Sequence, residues 1–310
     1  MENLENKTQS FEFLNQFNLL ANQVVEGFIS GIHKSPFHGF SSEFAEHKIY
    51  NSGENIKNID WKIYAKTDKL YIKKYDDETN MRCHVIIDNS SSMHYPEKKN
   101  DSIFPYNKIQ YATLFTAAIF KLIKKQRDAA GLTVFSNQID FTSKELGSEK
   151  HHRTLIQILN DTIFNTPQLK KTSIIETLHQ IAEKTHKRSM IILFTDMFDH
   201  YNTKEELFNA LQHLKHNKHK VILFQILDKK TEIDFNFNDD AKKFVDLETG
   251  DFINLHTQQT QEFYSSKVKI YCKEIENMCQ QYKIEYHQID ILEKIEKKLL
   301  LYLTEKQKFN

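Results

Sequence analysis

Asp88, Ser90 and Ser92 follow one another as D-x-S-x-S directly after the apolar run Cys83-His84-Val85-Ile86-Ile87. One carboxylate and two hydroxyls, with no thiolate or imidazole among them, form a hard oxygen set that suits magnesium, calcium or manganese better than zinc. A plainer reading stands beside this one: Asp88 accepts backbone N–H groups locally and Ser90 or Ser92 caps the next helix, as short polar loops commonly do. A second apolar run, Met190-Ile191-Ile192-Leu193-Phe194, also stops at a polar pair, Thr195-Asp196, so Asp196 is a candidate second acid.

The elements that must position these residues can be read around them. Val85, Ile86 and Ile87 are β-branched and consecutive, as expected for a parallel strand covered on both faces by helices. In open α/β sheets ligands bind outside the carboxyl ends of the strands, where Asp88, Ser90, Ser92 and Asp196 would then lie. Downstream, a helix is expected over Asn107–Arg127, broken at Asp128 and Gly131 before a strand Leu132–Phe135, and a short antiparallel strand over Gln138–Phe141. A helix over 151–162 follows. Ser173-Ile174-Ile175-Glu176 and Thr203-Lys204-Glu205-Glu206 read as capping boxes that open helices on either side of strand 190–195. Val221–Leu227 is another buried strand, 244–253 a hairpin turning at Thr249-Gly250-Asp251, 259–282 a long polar helix and Ile284–Ile289 a last strand. Leu292, Ile295, Leu299 and Leu303 mark a closing helix. Strands alternating with helices give an α/β fold with a doubly wound, mostly parallel sheet of Rossmann type. Ahead of it, Phe13, Phe17, Leu20, Val24 and Phe28 recur at three and four within 10–30, an amphipathic helix that docks on its own domain or, alternatively, on a partner. The expected division is an N-terminal accessory segment over 1–80 and the α/β domain over 81–310.

Composition narrows the function classes. The chain has 310 residues with 42 basic and 42 acidic side chains, so no global charge draws it to nucleic acid or to an anionic membrane. Three cysteines without a C-x-x-C pair read as packing in a reducing compartment. The N-terminus lacks the basic start and apolar core of a signal peptide, and no apolar run approaches the roughly 18 residues of a membrane span. A soluble cytoplasmic protein is the expectation. His213, His216 and His219 fall among lysines and read as a solvated basic face rather than a zinc or nickel site.

A second informative stretch precedes the first acid: Tyr50-Asn51-Ser52-Gly53-Glu54, then Ile59-Asp60-Trp61, Ala65-Lys66 and the alternating strand Leu70–Tyr75. With the D-x-S-x-S that follows, this resembles the bacterial domain-of-unknown-function 58 family, whose members carry Tyr-x-x-Gly-Asp, Ile-Asp-Trp and Ala-Arg ahead of a von Willebrand factor A-like domain. The resemblance runs from about Ser35 to the C-terminus. Glu54 stands where the family has Asp, and Lys57 and Lys66 where arginines are common, which keeps charge but loses Arg's bidentate geometry. Trp61 and Ile59 are expected to be core anchors and Asp60 to pair with a lysine. The resemblance implies a metal-ion-dependent adhesion site of Asp88, Ser90, Ser92 and Asp196 with one further threonine from a loop opening the helix before the second acid's strand. Of Thr162, Thr166, Thr172 and Thr177, Thr172 lies just outside the expected helix start at Ser173.

Three function classes compete. By the resemblance, the chain is a non-catalytic binding module: a magnesium ion (or manganese or calcium) held by the three hydroxyls, with Asp88 and Asp196 acting partly through water, captures a carboxylate of a partner protein. A MoxR-type AAA+ ATPase is the implied partner, in protein-complex assembly or activation. The alternative is a metal-dependent phosphatase or phosphotransferase with Asp88 as nucleophile. Haloacid-dehalogenase-type enzymes, however, place an aspartate two residues on, where Ser90 stands, and neither a phosphate-cradling glycine loop nor a G-x-S-x-G elbow is present. Nucleic-acid binding through Lys121–Lys125 or Lys215–Lys220 is a third class, with no reader motif to support it.

Overall fold

The structure is a computed structural model, and it describes residues 19, 21–22, 25–26, 44–49, 59–75, 81–96, 106–164, 174–197, 204–237 and 241–299. The helix expected over 10–30 falls mostly outside them, although Leu19, Ala21, Asn22, Val25 and Glu26 are helical. Tyr50, Gly53, Glu54, Lys57, Thr172, the helix start at Ser173, Thr203 and Leu303 also lie outside the described residues. The chain divides into two compact units, Phe37–Met81 and Arg82–Asn310 together with Met1–Pro36.

In the smaller unit, β1 (Phe44–Ile49) pairs antiparallel with β2 (Tyr71–Tyr75) around the short helix α1 (Trp61–Thr67). Asp60 is its N-cap: its carboxylate accepts the N–H groups of Lys62 and Ile63 at 2.9 and 3.3 Å, satisfying two of the helix's orphan donors. Asp68, at φ 50°, closes the other end. Trp61 is not the expected core anchor. It is 58% exposed, whereas Ile59 is buried at 7%. The reason is local, since α1 has seven residues and none of them is buried, so it offers no apolar face to carry an indole inward. Trp61 instead lies edge-on to Tyr64, with ring centroids 6.1 Å apart.

The larger unit contains β3 (Arg82–Asp88), α2 (Lys108–Lys125), β4 (Ala129–Phe135), β5 (Ile139–Thr142), α3 (Glu149–Phe164), α4 (Ile174–Lys184), β6 (Met190–Thr195), α5 (Lys204–His216) and β7 (Lys220–Leu227). The hairpin β8 (Ala241–Val245) and β9 (Phe252–His256) follows, then α6 (Thr257–Gln281) and β10 (Glu285–Asp290). The main sheet runs β10-β7-β6-β3-β4-β5, all parallel except the antiparallel edge strand β5. This is the doubly wound, mostly parallel sheet expected from the sequence. Its order reverses at β3: the chain leaves β3 for β4 on one side and returns to β6 on the other, and in sheets of this kind such a switch point is where a ligand crevice lies, at the carboxyl ends of the strands.

Alternate residues of each central strand face two different cores. Phe194 and Phe224 stack with centroids 5.0 Å apart and meet Phe115 of α2 at 5.6 and 5.1 Å. Leu193 and Leu223 join Leu178 of α4, Leu207 and Leu211 of α5 and Ile275 of α6 in the other core. Covering both faces explains why these strands read as unbroken apolar runs rather than as alternating ones. Cys83, Cys272 and Cys279 are all buried and none forms a disulfide. Gly131 does not precede β4 but sits inside it, and the strand begins earlier than expected, at Ala129. His219 also departs from the expected basic face, because α5 ends at His216 and His219 is buried, its Nδ1 accepting the Ser189 N–H at 3.2 Å.

Candidate metal centre

The switch point carries the oxygen atoms. Ile87 pairs with Phe194, so Asp88 at the end of β3 and Thr195 at the end of β6 are level. The Thr195 hydroxyl donates to Asp88 Oδ2 at 2.8 Å, and the Ser90 N–H donates to Asp88 Oδ1 at 2.9 Å. The local-turn reading of the loop is therefore realised in part, since Asp88 does accept a backbone N–H. Neither serine caps the short 3₁₀ turn Ser91–His94 through its side chain; Ser90 Oγ and Ser92 Oγ lie 3.1 Å from one another instead. The loop is fixed at both ends: Asn89 N–H donates to Phe135 O at 2.7 Å, and Lys108 N–H to Tyr95 O at 3.0 Å.

Asp196 follows β6 and is buried beside Asp88. Burial, and then the charge of Asp196, push the Asp88 carboxyl up to about 7, although its bonds from Ser90 and Thr195 pull the other way. Two buried carboxylates that repel each other favour any cation placed near them. The turn after Asp196 is held in an uncommon conformation, Met197 having φ 64°. Three bonds secure it. Met197 N–H donates to the Thr195 hydroxyl at 3.2 Å, the Tyr271 hydroxyl donates to Met197 O, and Gln225 Nε2 donates to Asp196 O at 2.9 Å.

Two site residues escaped the sequence reading. Lys108, the first residue of α2, is 1% exposed, and its ammonium donates to Asp196 Oδ2 at 2.7 Å and to Glu232 Oε1 at 2.6 Å. Burial alone would lower its pKa, but Asp196 and Glu232 outweigh that and raise it. Glu232 lies in a π-helical turn, Lys229–Ile233, after β7, where its other oxygen accepts the Asp228 N–H at 2.7 Å. Its carboxyl is raised by burial, against the pull of Lys108. Lys108 could have been suspected: at positions three, four and seven before Tyr111, Ala112 and Phe115 it falls on the apolar face of α2. Glu232 carries no comparable signal, for nothing in Lys229-Lys230-Thr231-Glu232-Ile233 marks a π turn.

The structure thus brings Asp88, Ser90 and Ser92 into one loop and places Asp196 beside Asp88, while Thr172 lies outside the described residues. Among the described residues no three His, Cys, Asp or Glu side chains are grouped to hold a metal ion. The set in the crevice has two such acids and relies on hydroxyls for the rest, a hard donor set that fits magnesium or manganese.

The family model described as "Protein of unknown function DUF58" matches residues 46–270. The chain belongs to this family. Among curated proteins, Uncharacterized protein Rv1480 of Mycobacterium tuberculosis and Uncharacterized protein Mb1516 of Mycobacterium bovis are each 18% identical over 217 residues, 70% of this chain. The match spans 65% of the length of those relatives. Among solved structures, BatB from Bacteroides thetaiotaomicron is 14% identical with a TM-score of 0.44, over 74% of this chain and 99% of that one. The SpRpn10 VWA domain is 13% identical with a TM-score of 0.38, over 72% and 94%. Among the described residues of this DUF58 chain, no helix is long and apolar enough to cross a membrane.

Proposed function

We propose that this DUF58 chain is a non-catalytic protein-binding module whose crevice holds one divalent cation of the metal-ion-dependent adhesion type. The carrying observation is the pair of buried acids at adjacent strand ends, with the Asp88 carboxyl pushed up to about 7 by burial and by Asp196. Asp88, Ser90, Ser92 and Asp196, joined by Thr172, would hold magnesium, or manganese or calcium in its place. Such an ion supplies an electron-poor centre that takes an oxygen anion from outside, and an acidic side chain of a partner protein suits it. The resemblance to the family points to a MoxR-type AAA+ ATPase as that partner and to protein-complex assembly or activation in the cytoplasm.

Enzyme action ranks below this reading. Ser90 stands where a phosphatase of this layout needs its general acid. The test is capture of partners from native lysate by the wild type and by Asp88→Ala, each with magnesium or with EDTA. Partners retained only by the wild type in magnesium support the module. Partners retained equally in all four samples, or hydrolysis of p-nitrophenyl phosphate that disappears in Asp88→Asn, would overturn it.

A further inference from the structure

A lysine is an unexpected occupant of the first position of α2. The N-terminus of a helix is its positive pole, which disfavours a cation, and burial of an ammonium adds several kcal/mol unless it is well partnered. Lys108 is nevertheless 1% exposed, and its N–H groups meet Asp196 Oδ2 at 2.7 Å and Glu232 Oε1 at 2.6 Å. Its place is fixed from the backbone outward. Asn107 and Gln110 close a capping box around the start of α2 at 2.9 and 3.2 Å, and Lys108 N–H is bonded to Tyr95 O at 3.0 Å. The Tyr95 hydroxyl in turn donates to Thr231 Oγ1 at 2.9 Å, next to Glu232. Lys108 therefore joins the loop after β3 through its backbone N–H, and the end of β6 and the turn after β7 through its ammonium. One of its two carboxylates, Asp196, is a proposed metal ligand and the other is not.

We propose that Lys108 is the built-in cation of this site: it neutralises Asp196 and Glu232 while no metal is bound, competes with a divalent ion for Asp196, and stays paired with Glu232 once the metal enters. This rests on the metal-site reading above and adds its regulation. Two carboxylates, Asp196 and Glu232, share one ammonium, and Asp88 adds its charge beside Asp196, which favours a divalent ion but sets the ammonium against it. Glu232 is the stable partner because its second oxygen is anchored on the Asp228 N–H. Metal loading is thereby tied to the turn Lys229–Ile233, and the empty crevice needs no external ion to keep Asp196 compensated.

The experiment is calorimetric titration of manganese into the wild type, Lys108→Met and Glu232→Gln, with thermal midpoints of each in EDTA and in manganese. Removing the competing charge from contact distance should tighten manganese binding in Lys108→Met by about tenfold or more. Glu232→Gln, which leaves the ammonium wholly to Asp196, should weaken it. In EDTA, Lys108→Met should melt below the wild type and regain more of that loss with manganese than the wild type gains. Equal or weaker binding by a folded Lys108→Met would overturn the inference while leaving the metal site standing if Asp88→Ala abolishes wild-type binding. Absence of binding in every protein would overturn both. If Lys108→Met does not fold even with manganese, Glu232→Gln decides: unchanged or tighter binding there rejects the inference.

Discussion

At the scale of single residues, the loop after β3 combines groups that the crevice uses with groups that hold the loop. His94 belongs to the second kind. It is buried, its ring Nε2 donates to Asn89 Oδ1 at 3.0 Å, and burial pushes its pKa down to about 4. Because the folded chain binds this proton less readily than the unfolded one, stability from His94 is fully present above the ordinary value of 6.5 and declines as pH falls toward 4. Asp88 acts in the opposite sense over the same range, since its raised pKa makes the folded state the better proton binder, so the comparison has to be with a variant. Urea unfolding at pH 7.5 and pH 5 should show the wild type losing more stability between the two than His94→Gln does. An equal loss in both would place the His94 ring outside the pH response. The acids and serines were legible because carboxylates and hydroxyls that end apolar runs stand out. Trp61 was not, since an aromatic on a seven-residue helix looks in sequence like one on a long helix with a core face.

Elements impose their own requirements, and Gly131 shows one. A Cβ built there would stand 2.7 Å from His84 Nδ1, because the ring of His84 on β3 crosses toward Glu145 and meets its carboxylate at 2.6 Å. The other ring nitrogen lies 2.8 Å from Thr133 Oγ1 on β4. The Glu145 carboxyl is held below its ordinary value by His84 even though burial pushes it upward. Gly131 is therefore needed for close approach inside a strand, although in the sequence it looks like a helix terminator, the commoner use of glycine at that point. Gly131→Ala should cost about 1–3 kcal/mol, the range of overpacking a filled core. Urea unfolding measures it, and a change smaller than a few tenths would mean that the His84 ring moves aside freely. Most other elements were legible from their apolar period, as α2 illustrates, expected over Asn107–Arg127 and found at Lys108–Lys125. The π turn that presents Glu232 was not, because its geometry depends on contacts with Lys108 and Tyr95 from distant parts of the chain.

For the molecule as a whole, the alternation of apolar strands and helices sufficed to give the layered α/β fold, because parallel sheets need both faces covered and leave that need written in the strands. The strand order was not written there. It follows from packing between elements far apart in sequence, and it alone decides that Asp88 and Asp196 are neighbours rather than acids on separate edges. The balance of 42 acidic and 42 basic side chains likewise hides the local excess of acid in the crevice. We propose that this excess, with the hydroxyls beside it, is a divalent-metal site. Its most direct test is calorimetric titration of magnesium and manganese into the wild type, Asp88→Ala, Asp196→Ala and Thr172→Ala, with circular dichroism to verify the fold. Both aspartate variants should lose at least about tenfold in affinity, and Thr172→Ala should lose less, since water replaces a hydroxyl more readily than a negative charge. Equal affinity in all four folded proteins would show that these residues do not hold the metal.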